Sequence, residues 1–173
     1  MTVGVQSGVD FQQIYTNVFP ILFRVAYHIA GSEEAAEDLC QEAFSRLHEK
    51  QMSFPTLNDA KYWLIRVVKN ASLNYVKWKE RERRAYQRVL QEDSRVEETG
   101  EQTLIRKETQ LEVQEALAKL PENLRCVLIL KEYAGMNYKD IGHVLGISEG
   151  NVKVRVFRAR ERLMGLLGEK KSE

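Results

Sequence analysis

A chain of 173 residues holds one ordinary domain or two small ones. Its 26 Lys and Arg nearly cancel 25 Asp and Glu, and 43% of its residues are hydrophobic, which excludes a disordered polyelectrolyte. The longest apolar run, Cys126–Leu130, is too short to span a bilayer. The opening MTVGVQSGVDF has neither the basic patch nor the apolar stretch of a signal peptide. No membrane insertion and a cytoplasmic location are therefore expected. Two cysteines, Cys40 and Cys126, cannot build a disulfide framework or a four-thiolate zinc site.

Phe11 to Ala30 is apolar and aromatic and stops at Gly31, which predicts a first helix. Ser32 can cap a second, with Glu33 and Glu34 in the first turn, where the helix dipole favours acids. Ala36, Leu39, Cys40, Ala43, Phe44 and Leu47 recur on one face of it. From Ser32 to Glu49 it carries six acids against the single base Arg46. A non-helical connection around Gln51 to Leu57 centres on Phe54 and Pro55, and Asn58 or Asp59 can cap a third helix running through Arg84. From Lys61 to Arg84 eight bases face two acids, the reverse of the preceding helix. Tyr62 and Trp63 read as core side chains. Residues 85–110 have a weak helical signal and a net acidic tally, and EDSRVEETGEQT within them reads as a flexible linker. Leu111 to Leu120 and Leu124 to Tyr133 then read as helices, with Pro121 between them. Strand signals are nearly absent. The expected fold is all-α, two small helical domains of modest core at 8–84 and 111–168.

NYKDIGHVLGISEGNVKVRVFRARERLMGLL follows the pattern of a helix-turn-helix. Tyr138 to Leu145 makes its first helix, Gly146 the left-handed turn residue, Ile147 the plug of the corner and Ser148 the cap of the second helix. Val152, Val156, Ala159, Leu163 and Leu166 form an inward seam, which turns Gly150, Lys153, Val154 and Phe157 outward and puts Asn151, Arg155 and Arg158 on the flanks. Five bases against one acid between Lys153 and Arg162 suit a helix lying in the major groove of DNA. Val154 and Phe157 are unexpected on a merely solvated face. A thymine methyl or a protein partner could cover them.

These stretches resemble the bacterial RNA polymerase sigma factors of the extracytoplasmic-function group. AAEDLCQEAF is similar to the family's region-two signature, YWLIRVVKNASLNYVKW to its promoter-melting helix, and YAGMNYKDIGHVLGISEGNVKVRVFRARERL to its region-four helix-turn-helix. The resemblance implies that Asp38, Gln41 and Glu42 dock core RNA polymerase, through its β and β′ subunits. It implies that Lys69, Asn70, Asn74, Lys77, Trp78 and Lys79 meet the minus-ten element of promoter DNA. The connection from Lys50 to Asn58 corresponds to the loop that captures an extruded base. Ser148, Glu149, Gly150, Asn151, Lys153, Val154, Arg155, Phe157 and Arg158 would then read the minus-thirty-five element, and an anti-sigma factor is an implied further partner. Trp78, set among bases, is the best stacking candidate. Asn74 stands where the family commonly has Asp, Gly142 where it has Ala and Asn151 where it often has Thr, while Val154 and Phe157 replace more polar residues.

No catalysis, cofactor or metal is expected. Asp140 and His143 form an isolated Asp-x-x-His that reads as a solvated pair, His28 and His48 have no patterned partners, and the cysteines read as small buried hydrophobes. Two other readings are a stand-alone helix-turn-helix regulator with an N-terminal sensor or dimerisation half, and a helical metalloenzyme using the acidic helix. The second helix lacks the Glu-x-x-His of di-iron bundles.

Overall fold

The computed structural model describes residues 8–90 and 105–169. Among them are seven helices and no strand: α1 (Phe11–Ala30), α2 (Glu33–Glu49), α3 (Leu57–Leu90), α4 (Ile105–Lys119), α5 (Glu122–Glu132), α6 (Tyr138–Leu145) and α7 (Glu149–Glu169). α1 ends where glycine permits it, with Gly31 at φ 76° donating its N–H to Tyr27 O. Ser32 Oγ accepts from the Ala35 N–H at 3.2 Å and starts α2. The cap of α3 is Thr56, not Asn58 or Asp59. Its hydroxyl accepts from the Asp59 N–H at 3.2 Å and donates to the Asp59 carboxylate at 2.7 Å, so the Asp59 side chain orients the capping hydroxyl.

α3 continues past Arg84 to Leu90, and α4 begins at Ile105, before Leu111. Glu80 holds both Arg83 and Arg84 one turn away and supports the prolonged α3. At 34 residues this helix is about 51 Å long, and its last buried residue is Leu73. The second half of α3 thus projects from the bundle as a basic rod. The stretch EDSRVEETGEQT, expected to be a linker, lies outside the described residues.

α1, α2 and α3 pack as a bundle around Leu22, Val25, Leu64, Ile65 and Val68, all fully buried. α5, α6 and α7 form a second unit in which Ile141, Val152 and Val156 meet α5. Residues of both units belong to one continuous apolar cluster, and α5 is the reason. Cys126 to Leu130 are five consecutive buried residues, so α5 has more than one face to cover. Leu128 turns to Leu117 of α4, Leu120 just after that helix and Ala159 of α7, while Cys126, Val127, Ile129 and Leu130 join the cluster that contains α1 and α3.

The corner of the helix-turn-helix is tight. Gly146 takes φ 68°, and a Cβ at Gly142 would stand 2.6 Å from the backbone oxygen of Ile147. Gly142 is therefore required by close backbone approach, whatever it costs in helix propensity. We expect Gly142→Ala to lower stability by about 1–3 kcal/mol, the usual cost of overpacking. Chemical denaturation of the full chain measures it, and an unchanged midpoint would show that the corner relaxes freely.

Candidate nucleic-acid interface

On α2 the apolar stripe faces α1 and α3, which leaves Asp38, Gln41 and Glu42 exposed with Glu33, Glu34 and Glu37. Glu42 is paired with Arg46 one turn on, and the Gln41 amide donates to the Tyr15 hydroxyl at 3.4 Å. The result is a carboxylate face beside a row of aromatic rings on α1, where Tyr15 and Phe19 lie 5.1 Å apart.

The basic side chains of α3 follow the projecting half of the helix. Asn70, Asn74, Lys77, Trp78 and Lys79 are exposed and Lys69 is half-buried. Trp78 is 52% exposed, with Lys79 Nζ 5.3 Å from its ring centroid and Tyr75 tilted against it at 6.2 Å. Sequence reasoning missed Tyr75, which sits one turn before Trp78 and Lys79 and makes the platform a pair of rings under one cation. The loop before α3 is pinned by Phe54, which is buried against Trp63 and whose carbonyl accepts from the Val9 N–H at 3.1 Å. Trp63 is half-buried and packs against the core.

In the helix-turn-helix, Ser148 Oγ accepts from the Asn151 N–H at 3.1 Å, and Val152, Val156 and Ala159 form the buried seam. Ser148, Glu149, Gly150, Asn151, Lys153, Val154, Phe157 and Arg158 are exposed, and Arg155 is half-buried. Asn151 Oδ1 accepts from Arg155 Nε at 2.9 Å, and Lys153 pairs with Glu149 at 3.4 Å.

The two units are clamped by residues the sequence did not single out. Arg66 donates from Nε to Val144 O at 3.0 Å and from Nη2 to His143 O at 2.9 Å. These are carbonyls of the last turn of α6, where the helix leaves acceptors without internal partners. Arg24 Nε donates to Tyr133 O at 2.9 Å, and His28 stacks on Tyr133 with centroids 3.4 Å apart. Gln114 Nε2 donates to His28 O at 2.7 Å, while its carbonyl meets His28 Nδ1 at 3.1 Å. Tyr62 faces His143 edge-on across the junction. Burial, then the nearby Asp140 carboxylate, raises the Tyr62 pKa. His143 nevertheless stays exposed and Asp140 half-buried, while Tyr62 packs between the units. The one signal that could have found Arg66 is its place as a cation inside the apolar run YWLIRVV.

The clamp brings together side chains expected to touch separate parts of DNA. Lys69 and Arg155 line one cleft of about 390 Å³ with Leu73, Glu122, Cys126 and Leu145, and Lys77 pairs with Glu122 at 3.5 Å. Burial pushes the Cys40 thiol up to about 12 and Cys126 to about 11, so both stay protonated at neutral pH. Among the described residues no group of three His, Cys, Asp or Glu could hold a metal ion, and no helix is long and apolar enough to cross a membrane.

An acidic helix face, a projecting basic helix with an exposed aromatic platform and a helix-turn-helix make this a two-unit helical DNA-binding protein. "Sigma-70 region 2" matches residues 14–82 and "Sigma-70, region 4" matches residues 110–163. The ECF RNA polymerase sigma factor SigM of Bacillus subtilis is 31% identical over 158 residues, 89% of this chain and 93% of that one. SigE of Mycolicibacterium smegmatis, another ECF RNA polymerase sigma factor, is 31% identical over 157 residues, 88% of this chain, which spans 59% of that longer protein. The sigma factor RpoE in complex with the anti-sigma factor NepR from Bartonella quintana superposes with a TM-score of 0.61 at 26% identity, covering 92% of this chain and 97% of that one. CnrH in complex with the cytosolic domain of CnrY shares the fold, with a TM-score of 0.63 at 23% identity over 92% of this chain and 88% of that one. The chain belongs to the extracytoplasmic-function group of the sigma-70 family of RNA polymerase sigma factors.

His28 gives the junction a pH dependence with a definite sign. Burial, opposed by the Gln114 bond, lowers its pKa below the ordinary 6.5, so the packed arrangement prefers the neutral ring. Around it stand Arg24 and Tyr27 on its own helix, Glu33 across the cleft, Gln114 of α4, and Tyr133 just after α5 with Glu132 at the end of that helix. The stabilisation is present above pH 6.5 and is lost as pH falls below it. Energy transfer between dyes on α2 and α7 should fall on acidification and stay flat in His28→Gln. An acid response that persists in the variant would assign it to another group.

Proposed function

We propose that this protein directs core RNA polymerase to a two-part promoter and nucleates melting, its first unit docking polymerase and engaging the minus-ten element, its second reading the minus-thirty-five element. The observation that carries the reading is that one unit presents both an exposed Trp78 platform on a basic helix and an exposed carboxylate face on α2. Polymerase contributes the chemistry, and the sigma factor itself catalyses nothing. Asp38, Gln41 and Glu42 offer the acidic face to basic helices of polymerase. Lys69, Asn70, Asn74, Lys77 and Lys79 meet phosphates and bases of the minus-ten element, and Trp78 stacks on an unpaired base for roughly 1–3 kcal/mol. The α7 face from Ser148 to Arg158 enters the major groove. A stand-alone regulator would leave the α2 face without a role. The protein works in the cytoplasm. The sigma factor RpoE of known structure was captured with the anti-sigma factor NepR, which supports the same kind of partner for this chain.

The clamp must open for this function. Lys69 and Arg155 line one cleft, whereas elements at minus ten and minus thirty-five lie about 85 Å apart along B-DNA, at about 3.4 Å per base pair. Polymerase binding therefore separates the units, and the contacts among α1, α3, α4, α5 and α6 are what it must replace.

Genome-wide transcript-start mapping with core polymerase and the purified protein tests the whole reading, and absence of promoter-specific starts would sink it. Asp38→Lys with Glu42→Lys should abolish polymerase binding with the helical content intact, and unchanged affinity would remove the docking assignment. Trp78→Ala should leave closed-complex binding in place and weaken opening, seen as reduced permanganate reactivity of the melted strand. Normal reactivity would refute the stacking role. Arg66→Ala should lower energy transfer between the two units without polymerase, as polymerase does for the parent chain. If polymerase leaves the transfer unchanged, the units do not separate.

A further inference from the structure

Down the middle of the outward face of α7 runs a column with no hydrogen-bonding side chain. Gly150 opens it, and a Cβ there would meet nothing within 4 Å. Val154 follows one turn later, 48% exposed, and Phe157 after it, 63% exposed. Of the polar neighbours, Asn151 accepts from Arg155 and Lys153 pairs with Glu149, while Arg158 lies exposed beside the column. Five cations against one acid from Lys153 to Arg162 commit the occupant of this face to a polyanion.

We propose that Val154, with Phe157 beside it, reads thymine C5-methyl groups in the major groove of the upstream promoter element. The inference rests on α7 being the helix that enters that groove. An apolar side chain cannot distinguish donors from acceptors on base edges, and the C5-methyl of thymine is the one apolar group the four bases display there. The bare Gly150 lets the first turn of α7 approach the bases closely enough for a side chain as short as valine to reach that methyl. The upstream element therefore carries thymine, on one strand or the other, opposite Val154. Cytosine there puts an amino group against the isopropyl and leaves that amino group without an acceptor.

Deoxyuridine differs from thymidine only in lacking the methyl, and supplies the test. With holoenzyme made from the full chain, each thymine of the upstream element of a mapped promoter is replaced singly by deoxyuridine. One or two neighbouring positions should lose about fourfold in affinity, the worth of one buried methyl. In Val154→Ala the loss at one of them should vanish, while affinity for core polymerase stays the same. Binding indifferent to every methyl, or equally sensitive in the variant, overturns the assignment. Weakened polymerase affinity in Val154→Ala also overturns it and makes the patch a protein-docking surface. These outcomes leave promoter-specific initiation intact and so are distinct from failure of the sigma reading itself, which would show as absent initiation and remove both.

Discussion

The arrangement of this sigma factor depends on one clamp, the Arg66 guanidinium set against the carbonyls of His143 and Val144. Those acceptors are left over at the C-terminal end of α6, where the helix dipole is negative, so a cation satisfies hydrogen bonding and charge together. Around it the apolar face of α5 is covered, Tyr62 meets His143, and Lys69 and Arg155 come to share a cleft. None of these contacts exists unless the units are together. The Lys77–Glu122 pair adds little, because both side chains are more than half exposed and water screens them.

Near-neutrality of the whole chain hides a division of charge that follows the helices. α2 offers carboxylates, α3 and α7 offer cations, and a protein partner and a nucleic acid can be held without competing for one surface. Part of the basic charge is already paired: Lys77 with Glu122 across the junction, and Arg160 with Glu132 and Lys153 with Glu149 within the second unit. The free protein therefore presents DNA with fewer available cations than its sequence contains.

Local features were legible because local physics decides them. Gly31, Ser32, Gly146 and Ser148 mark helix ends through conformational freedom or a capping oxygen, and each does so in the structure. The inward seam of α7 was read from spacing alone. The Thr56 cap was missed because Thr, Asn and Asp follow one another closely and all can cap. The continuation of α3 to Leu90 was missed because its support is a surface network around Glu80, invisible to hydrophobic periodicity. The clamp was out of reach for a different reason. His28, Gln114 and Tyr133 are far apart in the chain, and no periodic pattern links residues whose only relation is tertiary. Arg66 did leave a trace, as a cation that an apolar run would otherwise exclude.

The double-faced α5 has a consequence for temperature. Joining the units through buried aliphatic surface carries a negative heat-capacity change, and such stabilisation weakens on cooling. The Arg66, Arg24 and Gln114 hydrogen bonds do not weaken in the same way. Cooling thus shifts the balance from greasy contact to polar contact, and parting the two units costs less in the cold than in the warm.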